Sequence, residues 1–249
     1  MGPFHGPDEG STPFTRSMTN PNDTTSHNDV FMGDKRVPPT GPLMKTEQRF
    51  ISWLVPKMPL WIEGYHLTLM AIPLSALLIL SGYLARTNLQ WLWLSSAVMA
   101  LHWFTDSFDG AMGKYRETGI PKWGYYMDHL LDYVFASLAV ISYTFLVAGT
   151  SKTLLFLLAP IFGIFFVNSY LSMAATKEFR INFLGMGGTL LRLIIIVANT
   201  LIIVFGARLI TLTIPFFLLL SVLFACVIVY RTQKHIWNID MCDKAQRAR

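Results

Sequence analysis

Six apolar runs, each near the roughly 20 residues a helix needs to cross a bilayer, fill this chain from about residue 65 to residue 230. They fall at about 65–85, 89–112, 122–147, 153–174, 186–206 and 209–230. Lipid offers no water to the backbone, so each run must fold as a helix whose hydrogen bonds close on themselves. Hydrophobic residues make up 53% of the chain and charged residues only 14%, with mean hydropathy +0.43, which excludes a soluble or a disordered class. The expectation is an all-α integral membrane protein with six transmembrane helices over residues 63–232.

Acidic residues are rare in that region, and they are not scattered. Between Tyr65 and Tyr230 there are six, and four of them, Asp106, Asp109, Asp128 and Asp132, share one short stretch. The other two, Glu117 and Glu178, lie in predicted loops. An aspartate in a bilayer-spanning position costs roughly 2.5–3.5 kcal/mol, so four together imply a shared purpose. At about 100° per residue, Asp106, Asp109, Gly110 and Gly113 fall on one helix face, within roughly 100° of arc. Gly124, Asp128 and Asp132, each four apart, line a stripe on the next helix. Two facing acidic stripes suit oxygen-loving ions such as Mg²⁺ or Mn²⁺, which keep positions open for substrate phosphates. Glycines on the same stripes let a ligand approach the backbone. The plainer alternative, interhelical hydrogen bonds and ion pairs, would need more buried cationic partners than the spans contain.

The stretch resembles the signature of the CDP-alcohol phosphotransferase family, D-x-x-D-G-x-x-A-R, a short spacer, then G-x-x-x-D-x-x-x-D. Here it stands as Asp106-x-x-Asp109-Gly110-x-x-Gly113-Lys114, nine residues, then Gly124-x-x-x-Asp128-x-x-x-Asp132. Gly113 stands where Ala is usual, and Lys114 where Arg is usual. Lysine lacks the planar fork that matches a phosphate, which bears on nucleotide affinity more than on reaction class. The resemblance covers about residues 47–232 and implies transfer of a substituted phosphoryl group from a CDP-linked donor to an alcohol, with release of CMP. It implies two divalent ions, Mg²⁺ or Mn²⁺, held by Asp106, Asp109, Asp128 and Asp132. It also implies that Asp132 takes the proton from the attacking hydroxyl, and that Gly110, Gly113, Lys114 and Gly124 lie against CDP and its pyrophosphate. A homodimer with a cavity open sideways to lipid completes what it implies.

Two residues bear on the branch. His129 matches the choline and ethanolamine phosphotransferases, whose third and fourth aspartates are spaced Asp-His-x-x-Asp, and a histidine there could orient the acceptor hydroxyl. Arg192 is the one basic residue inside an expected span and is a candidate phosphate or pyrophosphate contact, or a partner of one aspartate. The surrounding Gly185-Met-Gly-Gly188-Thr189-Leu-Leu-Arg192 is similar to the Gly-Pro-Thr-Glu-x-Arg stretch of that branch, with Pro and Glu replaced. His102, one turn before Asp106, either supports a ligand from behind or simply packs. Small size and six spans favour phosphatidyl transfer from CDP-diacylglycerol. The alternatives are a CDP-choline or CDP-ethanolamine type enzyme with a lipid acceptor, and a catalytically inactive scaffold relative. A membrane prenyltransferase would place its two acidic motifs on well-separated helix pairs, and a cation transporter would spread its acids over several spans. Neither pattern is present.

The flanks carry less chemistry. Residues 1–44 are polar and rich in Pro, Gly, Asn, Asp, Ser and Thr, and are expected to be a disordered cytosolic tail. Residues 45–62 mix Phe50, Trp53, Leu54, Leu60 and Trp61 with Lys45, Arg49 and Lys57, are broken by Pro56 and Pro59, and suit an amphipathic segment lying on the bilayer surface. Residues 233–249 form a basic cytosolic tail. Counting Lys and Arg by loop puts thirteen on the side of both termini and the Asp-rich loop, against Arg86, Lys152 and Arg208 on the other. Both termini and the active loop are therefore expected in the cytoplasm, where a soluble nucleotide would be. That distribution makes the net charge of +5 a topology signal, so no nucleic-acid partner is expected. Cys226 and Cys242 alone suggest no disulfide framework.

Overall fold

The computed structural model describes residues 42–176 and 188–247. Most of the expected N-terminal tail, the Lys177, Glu178, Arg180 and Gly185 region and Arg249 lie outside the described residues. Within them the chain is all-helical, with no strand. The helices are α1 (Pro42–Leu54), α2 (Gly64–Leu69), α3 (Ala71–Leu84), α4 (Leu92–Arg116), α5 (Pro121–Tyr143), α6 (Gly149–Thr176), α7 (Gly188–Phe205) and α8 (Arg208–Arg247). Four stretches are long and apolar enough to cross a membrane: Gly64–Leu84, which joins α2 and α3, and α6, α7 and α8. By length and composition this is an all-helical membrane protein. Helices α4 and α5, at 25 and 23 residues, have the length but carry the aspartates that lower their hydropathy.

Three boundaries differ from expectation, each for a local reason. The tail assigned to residues 1–44 ends early, because α1 already begins at Pro42, a residue suited to a first helical turn. The basic loop expected over Lys114–Lys122 shrinks to Glu117–Ile120. Helix α4 runs through Lys114 to Arg116, stops at Glu117 in the left-handed region (φ 57°), and α5 restarts on Pro121. The last helix outruns the span expected to end near residue 230. Helix α8 continues to Arg247, since no Gly or Pro occurs after Pro215 to end it.

The helices close into a ring in the order α3, α5, α6, α8, α7, α4 and back to α3. Sequence neighbours α4 and α5 barely meet along their backbones, because α2 wedges against both at one end. That wedge opens the slot in which the aspartates meet. Lipid supplies no hydrophobic drive between helices, so close packing must do it. At the α3–α5 crossing a Cβ on Gly82 would lie 2.5 Å from the Ser142 carbonyl oxygen, so only glycine permits that approach. Below the slot, fully buried Leu78 packs with Leu74, Val98, Met99 and Phe135. Fully buried Asn199 stitches three helices there: it accepts from the Tyr143 hydroxyl at 2.5 Å and donates to Ser96 Oγ at 3.0 Å.

The N-terminal segment is fastened to the slot end of α4. Phe108 and Met112, both fully buried, pack on Val55 and Leu67. Beyond them the Arg116 guanidinium donates to the carbonyls of Met58, Pro59, Leu60 and Ile62. One arginine thus satisfies the open turn between α1 and α2, whose carbonyls no helix pairs.

Candidate active site

Asp106 on α4 and Asp128 and Asp132 on α5 each aim a carboxylate oxygen into the slot, and three of these oxygens lie within 4.8 Å of one another. Their four-residue spacing on α5 keeps Asp128 and Asp132 on one face. Asp109, one turn along α4, lines the same small cavity with Thr68 and His102. Its Oδ2 accepts from Thr68 Oγ1 at 2.7 Å, and its Oδ1 accepts from the Gly110 N–H. The wedge helix therefore supplies both the gap and a hydroxyl that orients one acid. It can come this close because residue 64 is glycine: a Cβ there would sit 2.6 Å from the Asp109 carbonyl oxygen.

Arg192 enters from α7. Its Nη2 lies 2.7 Å from Asp106 Oδ2, 3.5 Å from Asp132 Oδ1 and 3.0 Å from His102 Nδ1. A guanidinium only donates, so His102 Nδ1 accepts and the ring's proton sits on Nε2. That Nε2 faces Asp132 Oδ1 at 3.7 Å. The ring, 2% exposed, is stacked on Phe135 with centroids 3.6 Å apart, so it has no freedom to turn away.

Three carboxylates whose oxygens come this close repel one another, and partial burial makes that costly unless cations join them. The donors are all oxygen, drawn from two helices, which fits Mg²⁺ or Mn²⁺ and not a soft metal. Asp106, Asp128 and Asp132 would hold such an ion between them, with Asp109 beside them.

The remaining expected residues divide. Gly124 faces open space, with nothing within 4 Å of where a Cβ would stand, and leaves room for a ligand. At Gly113 a Cβ would lie 3.1 Å from Gly119 Cα, where the linker folds back. Lys114 is exposed on the last turn of α4. His129 lies beside Asp128, at 3.5 Å. Its Nδ1 is 2.8 Å from the Tyr125 carbonyl and its ring packs between Tyr125 and Tyr170, turned toward α6. Sequence reasoning missed Thr68, for which nothing in the spacing gives a signal. His102 was legible as one turn from Asp106, but its link to Asp132 was not.

Comparisons of the chain with protein-family models, with curated proteins and with solved structures find no match, so the reading of this site rests on its own geometry and chemistry.

Proposed function

We propose that this chain is a membrane enzyme that transfers a substituted phosphoryl group from a CDP-linked donor to an alcohol, releasing CMP, in the manner of the CDP-alcohol phosphotransferases it resembles. One observation carries the reading. The aspartates spaced as that signature requires converge from two helices into one slot, with carboxylate oxygens close enough together to hold a cation and a guanidinium beside them. Among the described residues, Arg192 pairs with Asp106 and Asp132 from one side of the slot.

In this reading Mg²⁺ or Mn²⁺, two ions, held by Asp106, Asp109, Asp128 and Asp132, would neutralise charge on the donor's pyrophosphate. The alcohol oxygen bonds to the phosphorus that carries the transferred group, the phosphoanhydride bond to CMP breaks, and the hydroxyl proton passes to Asp132. A carboxylate serves as base when it is within hydrogen-bond reach and less tightly committed than its neighbours. Asp132 has the Nε2–H of His102 beside it to hold its orientation. Arg192 contributes a fixed positive charge to the phosphates. Gly124 and Gly110 let the nucleotide approach the backbone. The favoured donor is CDP-diacylglycerol, with a small polar acceptor.

The finer membrane reading belongs here as well. Helices α4 and α5 complete six spans, each about 35 Å long at 1.5 Å per residue, with their aspartate ends at the cytoplasmic surface. Exposed Phe50, Trp53, Leu60 and Trp61 beside Lys45, Arg49 and Lys57 support a segment lying in the interface. The excess of Lys and Arg puts both termini in the cytoplasm. A homodimer follows from the family resemblance.

The test is CMP release by purified protein with Mn²⁺ or Mg²⁺, offered CDP-diacylglycerol, CDP-choline and CDP-ethanolamine in turn with a panel of alcohols. Release from one donor, abolished by chelator and by Asp132→Asn, is the expected result. A folded protein that releases CMP from none of them would overturn the reading.

A further inference from the structure

Glu47 lies outside the Asp-rich stretch, on α1, yet its carboxylate bridges the two helices that bring Asp106 and Arg192 together. Its Oε1 accepts from Trp103 Nε1 at 2.8 Å and from Ser107 Oγ at 3.2 Å, both on α4. The Thr189 hydroxyl on α7 sits 3.1 Å from each of its oxygens. Three neutral donors thus satisfy one carboxylate at the seam between α4 and α7. Those donors are placed with purpose. Trp103 and Ser107 flank Asp106 on one stretch of α4, and Thr189 is one turn from Arg192 on the same face of α7. The guanidinium also folds back along that first turn of α7, since a Cβ on Gly188 would lie 3.3 Å from Arg192 Nη1. Any shift of the turn moves the guanidinium.

The geometry points to Glu47 as a positioning residue: by tying α1 to Trp103, Ser107 and Thr189, it sets the first turn of α7 against α4 and so holds Arg192 where it meets the phosphates of a nucleoside diphosphate. This rests on the function proposed above. A carboxylate suits the task because one group accepts from three donors at once, with charge-assisted bonds that are shorter and stronger than neutral ones. Glutamine keeps the shape and one acceptor oxygen, enough for Trp103 and Ser107, with its amide N–H able to donate to the Thr189 hydroxyl, while alanine removes the bridge.

The experiment uses the purified full-length protein and measures binding of CDP with Mn²⁺ by calorimetry. Glu47→Ala should weaken binding at least about tenfold, the lower end of the range seen in metal affinity or activity when a partner behind a ligand is lost. Glu47→Gln should stay within about twofold of the unaltered protein. If Glu47 acts through Arg192, adding Glu47→Ala to Arg192→Lys should cost no further affinity, since residues acting as one unit are non-additive. Multiplying losses, or a Glu47→Ala protein that binds normally, would overturn the proposal. Should the unaltered protein not bind CDP, the proposed function fails, and hydrogen–deuterium exchange decides the bridge by itself. Faster exchange in Glu47→Ala across residues 188–196 as well as α1 supports it, and faster exchange confined to residues 42–54 sinks it.

Discussion

The Arg192 guanidinium on α7 reaches across to Asp106 on α4, with Nη2 to Oδ2 at 2.7 Å, and the same nitrogen stands 3.5 Å from Asp132 on α5. One side chain therefore ties three helices at the point where negative charge accumulates. Both ends are largely shielded from solvent, at 12% exposure for Arg192 and 23% for Asp106, so the pair is screened weakly and each partner depends on the other.

Replacing Arg192 by Gln should therefore destabilise the protein when no divalent ion is present. Breaking a buried pair by removing one partner costs roughly 3–5 kcal/mol. The expected readout is a lower Tm in chelator that recovers on adding Mn²⁺, because a cation bound to Asp106 and Asp132 replaces the lost charge. A Tm deficit unaltered by Mn²⁺ would count against a cation site at these acids.

Thr68→Val removes the hydroxyl that donates to Asp109 while keeping the volume. Partners that orient a ligating carboxylate typically matter by about 10–100-fold in metal affinity. Titration of Mn²⁺ followed by electron paramagnetic resonance should show at least a tenfold loss with the fold intact. An unchanged titration would mean that Asp109 does not bind the ion.

Gly82→Ala and Gly124→Ala should part company. At Gly82 the new methyl would meet the Ser142 carbonyl oxygen at 2.5 Å, and α3 and α5 must separate. Overpacking of this kind costs about 1–3 kcal/mol, read as a lower Tm in detergent. At Gly124 nothing lies within 4 Å, so Tm should hold while the KM for the CDP-linked donor rises. Equal Tm values for both variants would refute the crossing geometry.

Asn199→Leu deletes bonds to Tyr143 and Ser96 far from the aspartates. Interhelical hydrogen bonds in membranes average about 0.6 kcal/mol and reach about 1.7. A combined loss of roughly 1–3 kcal/mol is expected, measured by unfolding in mixed micelles, with Mn²⁺ affinity unchanged. A large drop in Mn²⁺ affinity would show that this network supports the site.

Several features were legible from residue order alone. The helical class followed from apolar runs that only hydrogen-bond-complete helices can place in lipid, and the four aspartates from their cost there. Asp128 and Asp132 share a face because 3.6 residues make a turn, and that needed no coordinates. Arg192 was singled out as the one basic residue inside an expected span. The contacts of Gly113, His129 and Glu47 were not legible, since they depend on which segment lies opposite. Gly113 meets Gly119, and His129 packs on Tyr125 and Tyr170.

By itself, then, the sequence determined the helical class, the membrane character and the acidic faces, all of which follow from periodicity and transfer cost along one helix at a time. Tertiary structure alone decided that α2 wedges α4 from α5, that Thr68 orients Asp109, and that Arg192, His102 and Asp132 meet. Those contacts join residues distant along the chain, and helix periodicity has no term for them. They exist because Gly64 and Gly82 let backbones approach where any side chain would hold them apart, and steric fit between helices is settled only once all of them are packed.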